Sequence, residues 1–149
     1  MRRLLFALCS ALTLSACALS PPRDLYDGYS VNFGMYTANS GVDTFCFVPQ
    51  LRLALLSIES HFGRKVVVTS GYRDPIHNII VGGKGESYHM RCMASDIFIP
   101  GIDKSRLIAF AYSNPLIGGM GCYPGQGFVH IDVRQRPPGW THPVTFSGC

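Results

Sequence analysis

The sequence predicts an α+β domain with a small, mainly antiparallel sheet flanked by helices. Three observations carry that prediction. Two strand-like runs, Lys65–Thr69 and Ala94–Ile99, lie between two segments with helical spacing. Two further runs, Gly118–Tyr123 and Phe128–Arg134, flank Pro124-Gly125-Gln126-Gly127, a hairpin signal. The order helix, strand, strand, helix, hairpin keeps paired strands together and argues for α+β. With 149 residues, 47% of them hydrophobic, the chain can bury the core of one domain.

Taken in order, the chain begins with Met1-Arg2-Arg3, a positive start, followed by a mostly apolar run from Leu4 to Leu14. That run is too short to span a bilayer as a mature helix. Leu14-Ser15-Ala16-Cys17 resembles the bacterial lipobox, which implies a signal peptide over residues 1–16 and lipidation of Cys17. An ordinary secretory signal cut nearby is the alternative. A lipid would anchor the protein to a membrane surface without a spanning helix. Ala18, rather than Asp, follows the cysteine, a pattern that implies the outer membrane, facing the periplasm. Residues 17–44 hold Pro21, Pro22 and several glycines and read as a tether and an irregular lead-in. The domain proper is expected over residues 45–149.

Within it, Pro49 suits the first turn of a helix, Leu51, Leu55, Ile58 and Phe62 follow at helical spacing, and Gly63 is a natural stop. After the Lys65–Thr69 strand, Ser70-Gly71-Tyr72-Arg73-Asp74-Pro75 turns the chain, and Ile76–Val81 suits a short helix before Gly82-Gly83. A polar, glycine-bearing loop then leads to His89. Ala94–Ile99 is stopped by Pro100-Gly101, and Asp103 or Ser105 can cap a helix running to about Asn114. Beyond Pro137 the chain reads as a proline-rich tail.

Export would change the charge and the cysteines. Without Arg2 and Arg3, 11 basic residues face 9 acidic ones, a net charge of +2. That balance does not point to nucleic acid, and none is expected as a partner. Cys46, Cys92, Cys122 and Cys149 would remain, and four cysteines in an oxidising compartment suggest two disulfides. A zinc site of four thiolates is the rival, but no CxxC pair exists. Of the three connectivities, Cys46–Cys92 with Cys122–Cys149 would tie down the helix start and the tail. Spacing alone does not separate it from the other two.

The chemistry concentrates in two stretches. "SYHMRCMASD", residues 87–96, holds His89 and Asp96. In "FVHIDVR", residues 128–134, strand periodicity projects His130 and Asp132 from one face, with Val129, Ile131 and Val133 toward the core. Solvent exposure is the simplest reading of either stretch alone. Together, His89, Asp96 and His130 supply the number and types of ligand that a catalytic zinc takes while keeping a position open.

These stretches, with "TSGYRDPIHNIIVGG", resemble in the same order the motifs of the zinc D-Ala-D-Ala peptidase family, which comprises D,D-carboxypeptidases, murein endopeptidases and phage endolysins and shares its fold with the hedgehog signalling domain. The resemblance spans roughly residues 46–134. It implies a D,D-peptidase-like domain with one zinc per chain, on the sheet, held by His89, Asp96 and His130. It implies cleavage of peptide bonds involving D-amino acids in peptidoglycan stem peptides or crosslinks, with peptidoglycan as the partner and cell-wall remodelling as the role. Arg73 matches the arginine of the Ser-Gly-Tyr-Arg motif and would bind a substrate carboxylate or steady an oxyanion. Pairing with Asp74 or capping a turn is the alternative. Ser87 matches the serine of Ser-x-His and would bind substrate, unless it is a plain loop hydroxyl.

One departure matters. Many members carry an acidic general base three residues before the last histidine, where this chain has Gly127. The periplasmic His-x-Asp subgroup, which the chain resembles most, leaves two roles for Asp132: the catalytic base, or a carboxylate that orients a ligand. Without a base, the chain would be a catalytically inactive, zinc-containing, peptidoglycan-binding lipoprotein. A structural envelope lipoprotein held by disulfides alone is a third reading and predicts no stoichiometric metal.

Overall fold

The computed structural model describes residues 23–149. The lipobox-like segment, with Cys17 and the signal-like run before it, lies outside the described residues. The architecture is mixed α+β, with one seven-stranded sheet and three α-helices. The strands are β1 (Ser30–Asn32), β2 (Met35–Thr37), β3 (Val67–Ser70), β4 (Ala94–Phe98), β5 (Gly119–Gly121), β6 (Val129–Asp132) and β7 (Val144–Phe146). Across the sheet they run β1-β2-β3-β4-β6-β5-β7. Four neighbouring pairs are antiparallel, and β2–β3 and β5–β7 are parallel.

Helix α1 (Pro49–Phe62) starts on Pro49, and its C-cap Gly63 takes a left-handed φ of 60°. Leu51, Ala54, Leu55 and Ile58 form its buried stripe. Helix α3 (Lys104–Ser113) buries Leu107 and Ala111. Both stripes join Val66, Val68, Ile97, Met120, Val129 and Ile131 in one core. Each fully buried aliphatic side chain stabilises the fold by roughly 1.5–3 kcal/mol. The short helix α2 (Pro75–Ile80) is capped by Asp74, whose Oδ1 accepts from the backbone N–H groups of Ile76 and His77. Those bonds, His77's first, hold the Asp74 carboxyl below its usual range. Its isoleucines are not core: Ile76, Ile79 and Ile80 are exposed, and Asn78 is the buried residue.

Three segments differ from the sequence reading. The lead-in expected to be irregular carries β1 and β2, an antiparallel pair turning at Phe33–Gly34 that adds to the edge of β3. The buried Tyr26 fastens it: its hydroxyl donates to Lys65 O at 3.0 Å and accepts from Lys65 N at 2.8 Å. In the proline-rich tail, β7 runs parallel to β5. The loop before Cys92 closes into a 3-10 turn, Tyr88–Arg91. Each of these elements is three or four residues long, too short to show a period in sequence.

Two disulfides join Cys46 to Cys92 and Cys122 to Cys149. The first ties the approach to α1 to the residue that closes the 3-10 turn, where Cys92 sits at φ 58°. The second ties the chain's last residue to the end of β5. Among the described residues no helix is long and apolar enough to cross a membrane.

Candidate active site

The register of the central strands builds the site. In the β4–β6 ladder Ile97 faces Val129 and Ser95 faces Ile131, on the side that meets the core. The alternate pairs are Asp96 opposite His130 and Ala94 opposite Asp132, which share the other side. The third member comes from outside the sheet. Ser87 caps the 3-10 turn by accepting the His89 N–H at 3.3 Å, and that turn directs the His89 ring onto the same face.

Three atoms converge there. His130 Nδ1 lies 2.8 Å from Asp96 Oδ1, and His89 Nε2 lies 3.1 Å from His130 Nδ1 and 3.3 Å from Asp96 Oδ1. All three residues are buried. Ligands of a tetrahedral zinc, at about 2.0–2.2 Å from the metal, stand roughly 3.3–3.6 Å from one another. The observed triangle is slightly tighter than that, and its atom types are right.

The other ring nitrogens are already engaged. His89 Nδ1 meets Gly71 O at 2.6 Å, and His130 Nε2 meets Asp132 Oδ2 at 3.3 Å. With those nitrogens donating, Nε2 of His89 and Nδ1 of His130 are left as lone pairs facing each other and a carboxylate, an arrangement that calls for a cation. The residues therefore fit the metal. Gly71 can be nothing larger, because a Cβ there would collide with the Asp43 carbonyl, which accepts the Tyr72 N–H at 2.7 Å.

Two arginines flank the triangle. Arg73 donates from Nη2 to Asp96 Oδ2 at 2.6 Å and from Nε to Ser70 Oγ at 2.8 Å. It bonds the candidate ligand itself rather than Asp74. On the other flank Arg134 grips Asp132: Nε donates to Oδ1 at 2.7 Å, Nη2 to Oδ2, and the backbone N–H to Oδ1 at 3.1 Å. Asp132 is fully buried, with no oxygen open to solvent. Burial would raise the Asp96 carboxyl, but with no cation between them the His130 and His89 imidazoles can carry protons toward it, and those hydrogen bonds outweigh burial and hold Asp96 well below the usual carboxylate range. Burial likewise opposes ionisation of Asp132, and the bonds from His130 and Arg134 overcome it. Both carboxylates therefore stay charged at neutral pH.

A cavity of about 690 Å³ opens over this face, lined by His89, Asp96, His130, Arg73, Ser87 and Arg134 among others. A second, of about 430 Å³, adjoins it and shares Arg73, Val81, Asp96 and Phe128 with the first. A model of the peptidase M15 family matches residues 29–132. The chain belongs to the peptidase M15 family, the zinc D-Ala-D-Ala carboxypeptidase family. No match was found among curated proteins or solved structures. The match begins at Tyr29, just before β1, and ends at Asp132, the last residue of β6.

Arg73, Ser87, His89, Asp96 and His130 meet around one cavity. Asp132 lies directly behind His130, outside the cavity lining. Gly127 is in the exposed turn between β5 and β6. Of the remaining histidines, His61 stacks on Phe110 at 4.0 Å, His142 stacks on Tyr112 at 5.3 Å, and His77 borders the second cavity. Sequence reasoning missed Arg134 and its two aromatic neighbours, Tyr88 and Phe146. The available signal was Arg134 two residues beyond Asp132, on the strand spacing that links His130 to Asp132.

Proposed function

We propose that the protein is a zinc peptidase that hydrolyses bonds involving D-amino acids in peptidoglycan stem peptides or crosslinks. The observation that carries this reading is the triangle of His89 Nε2, Asp96 Oδ1 and His130 Nδ1 at 2.8–3.3 Å. Those three atoms would hold zinc, which supplies Lewis acidity to polarise a carbonyl and lower the pKa of water. Gly71 O and Asp132 hold the two imidazoles in the tautomers that ligation requires. Arg73, fastened to Asp96 and Ser70, leaves Nη1 for the oxygen that gains charge as the peptide bond is attacked. Ser87 borders the cavity and would contact substrate.

Asp132 serves in this reading as the carboxylate that orients His130 rather than as the base. Its burial and its full set of partners support that choice. Glu86 is then the carboxylate in the cavity wall that no ligand role occupies. The second cavity, which adjoins the first at Arg73, supports a substrate that continues past the scissile bond, as a crosslink does. The lipobox-like Leu14–Cys17 supports an exported lipoprotein of the outer membrane, acting on the cell wall from the periplasmic face.

The test is mass spectrometry of monomeric and crosslinked muropeptides incubated with the protein and zinc, beside a His130→Ala variant. New products from the wild type alone establish the peptidase, and their masses identify the bond. No products with one zinc bound per chain would instead support the inactive binding lipoprotein, the reading favoured by Gly127.

A further inference from the structure

We infer that Arg134 is a specificity residue of the cavity, built to receive a substrate carboxylate. The inference rests on the peptidase reading above and goes beyond it by assigning a ligand chemistry to a residue given no role there.

The guanidinium is held on three sides. Asp132 takes Nε and Nη2, the Tyr88 ring lies 4.4 Å from its central carbon, and the Phe146 ring lies 5.5 Å away. The aromatic faces and the carboxylate leave it one orientation. Nη1 has no partner among the described residues, and the side chain borders the same cavity as the three candidate ligands. Its pKa is raised, first by the hydrogen bond to Asp132, so the charge is permanent.

A purely structural arginine would be expected to spend its remaining donors on backbone carbonyls, as Arg136 does. That residue bonds Ile117 O, Asn114 O and Thr141 O and stays away from the cavity. Arg134 instead keeps an N–H edge for the cavity.

The charge of the wall agrees. Arg73, Lys84 and Arg134 line it against Glu86 and Asp96, an excess of cations before any metal is counted. The shape also agrees, since a preorganised planar fork with one free edge accepts a carboxylate better than an amide. The two arginines then divide the work. Arg73 lies against a ligand oxygen and suits the reacting carbonyl, and Arg134 is tied behind His130 and suits a fixed carboxylate on a residue flanking the scissile bond.

The test compares two probes: an N-acylated D-Ala-D-Ala dipeptide with a free C-terminal carboxylate, and its C-terminal amide. Binding is measured by calorimetry on the zinc-loaded full chain, with the scissile amide of both probes replaced by a ketomethylene linkage. Turnover then does not enter, and the Arg134 variants separate the guanidinium from any metal–carboxylate contact. The wild type should bind the acid about tenfold or more tightly than the amide. Arg134→Gln should bring the two affinities together by weakening the acid alone, and Arg134→Lys should fall between. The unchanged affinity for the amide shows that the variants are folded.

Equal binding of acid and amide by the wild type would overturn the inference. So would a parallel loss of both probes in Arg134→Gln, which is the signature of an arginine that only positions Asp132. Failure of the peptidase reading looks different: no muropeptide is cut, whatever the acid-to-amide ratio.

Discussion

The two flanks of the site carry the same pair of side chains, an aspartate bound by an arginine, and use it differently. On one flank, Asp96 offers Oδ1 to the His89–His130 pair and Oδ2 to Arg73. On the other, Asp132 meets only the far nitrogen of His130, and Arg134 occupies both of its oxygens. Strand register makes the difference. Asp96 stands opposite His130 across the β4–β6 ladder, whereas Asp132 follows His130 along β6 and sits one step behind it. A carboxylate's role here is therefore set by its place in the ladder, and an arginine beside it does not distinguish a ligand from a support.

The sharpest way to break the comparison is to remove each carboxylate in turn. Asp96→Ala should abolish stoichiometric zinc, with affinity falling by more than about 100-fold, because two imidazoles remain where three ligands converge. Elemental analysis of the purified variant reads this directly. Retention of one zinc per chain would remove Asp96 from the ligand set.

Asp132→Asn is the weaker cut. The variant keeps the shape and one acceptor but no longer holds His130 by charge, so zinc affinity should fall by about 10–100-fold while one zinc still binds at saturation. Competition against a chromogenic chelator measures the shift. If zinc affinity is unchanged and muropeptide cleavage vanishes, Asp132 is the base and the proposed division of roles is wrong.

The difference between flanks also shows where the sequence was legible. His130 and Asp132 share a face by strand periodicity alone, and α1, α3 and the central strands follow from spacing, β-branching and turn residues. The meeting of His89 with that strand rested on ligand chemistry and the family resemblance, because no periodicity links residues 41 positions apart. Burial was not legible. The alternation of FVHIDVR predicts one solvated face, yet Val129 through Asp132 are all buried. The cover comes from β7 and the 3-10 turn, elements too short to announce themselves. Phe146 on β7 packs against His130, with ring centroids 5.3 Å apart and the rings tilted, and Tyr88 covers Arg134. Helix α2 inverts the same rule, since its isoleucines face outward and its asparagine inward. Asn78 donates from Nδ2 to Lys84 O at 2.9 Å, so a polar contact with the following loop, rather than apolar periodicity, sets which side of the helix is buried.

The mildest test leaves every polar side chain in place and shifts one neighbour. Gly119 stands opposite Asp132 in the β5–β6 ladder, and a Cβ there would fall on the Asp132 carboxylate and the Arg134 guanidinium. A methyl group in such a packed position costs about 1–3 kcal/mol, because backbone or side chains must move to admit it. Gly119→Ala should therefore lower the unfolding midpoint in denaturant and loosen the Asp132–Arg134 pair without breaking it. Zinc affinity should fall by less than about tenfold, below the effect of Asp132→Asn. No change in zinc affinity despite the lost stability would mean that His130 keeps its orientation without a rigid Asp132, leaving the backbone of β6 to do that work. A loss as large as that of Asp132→Asn would show that the position of the carboxylate matters as much as its charge. The two flanks would then differ in tolerance as well as role, because Arg73 gives Asp96 one hydrogen bond where Arg134 gives Asp132 three.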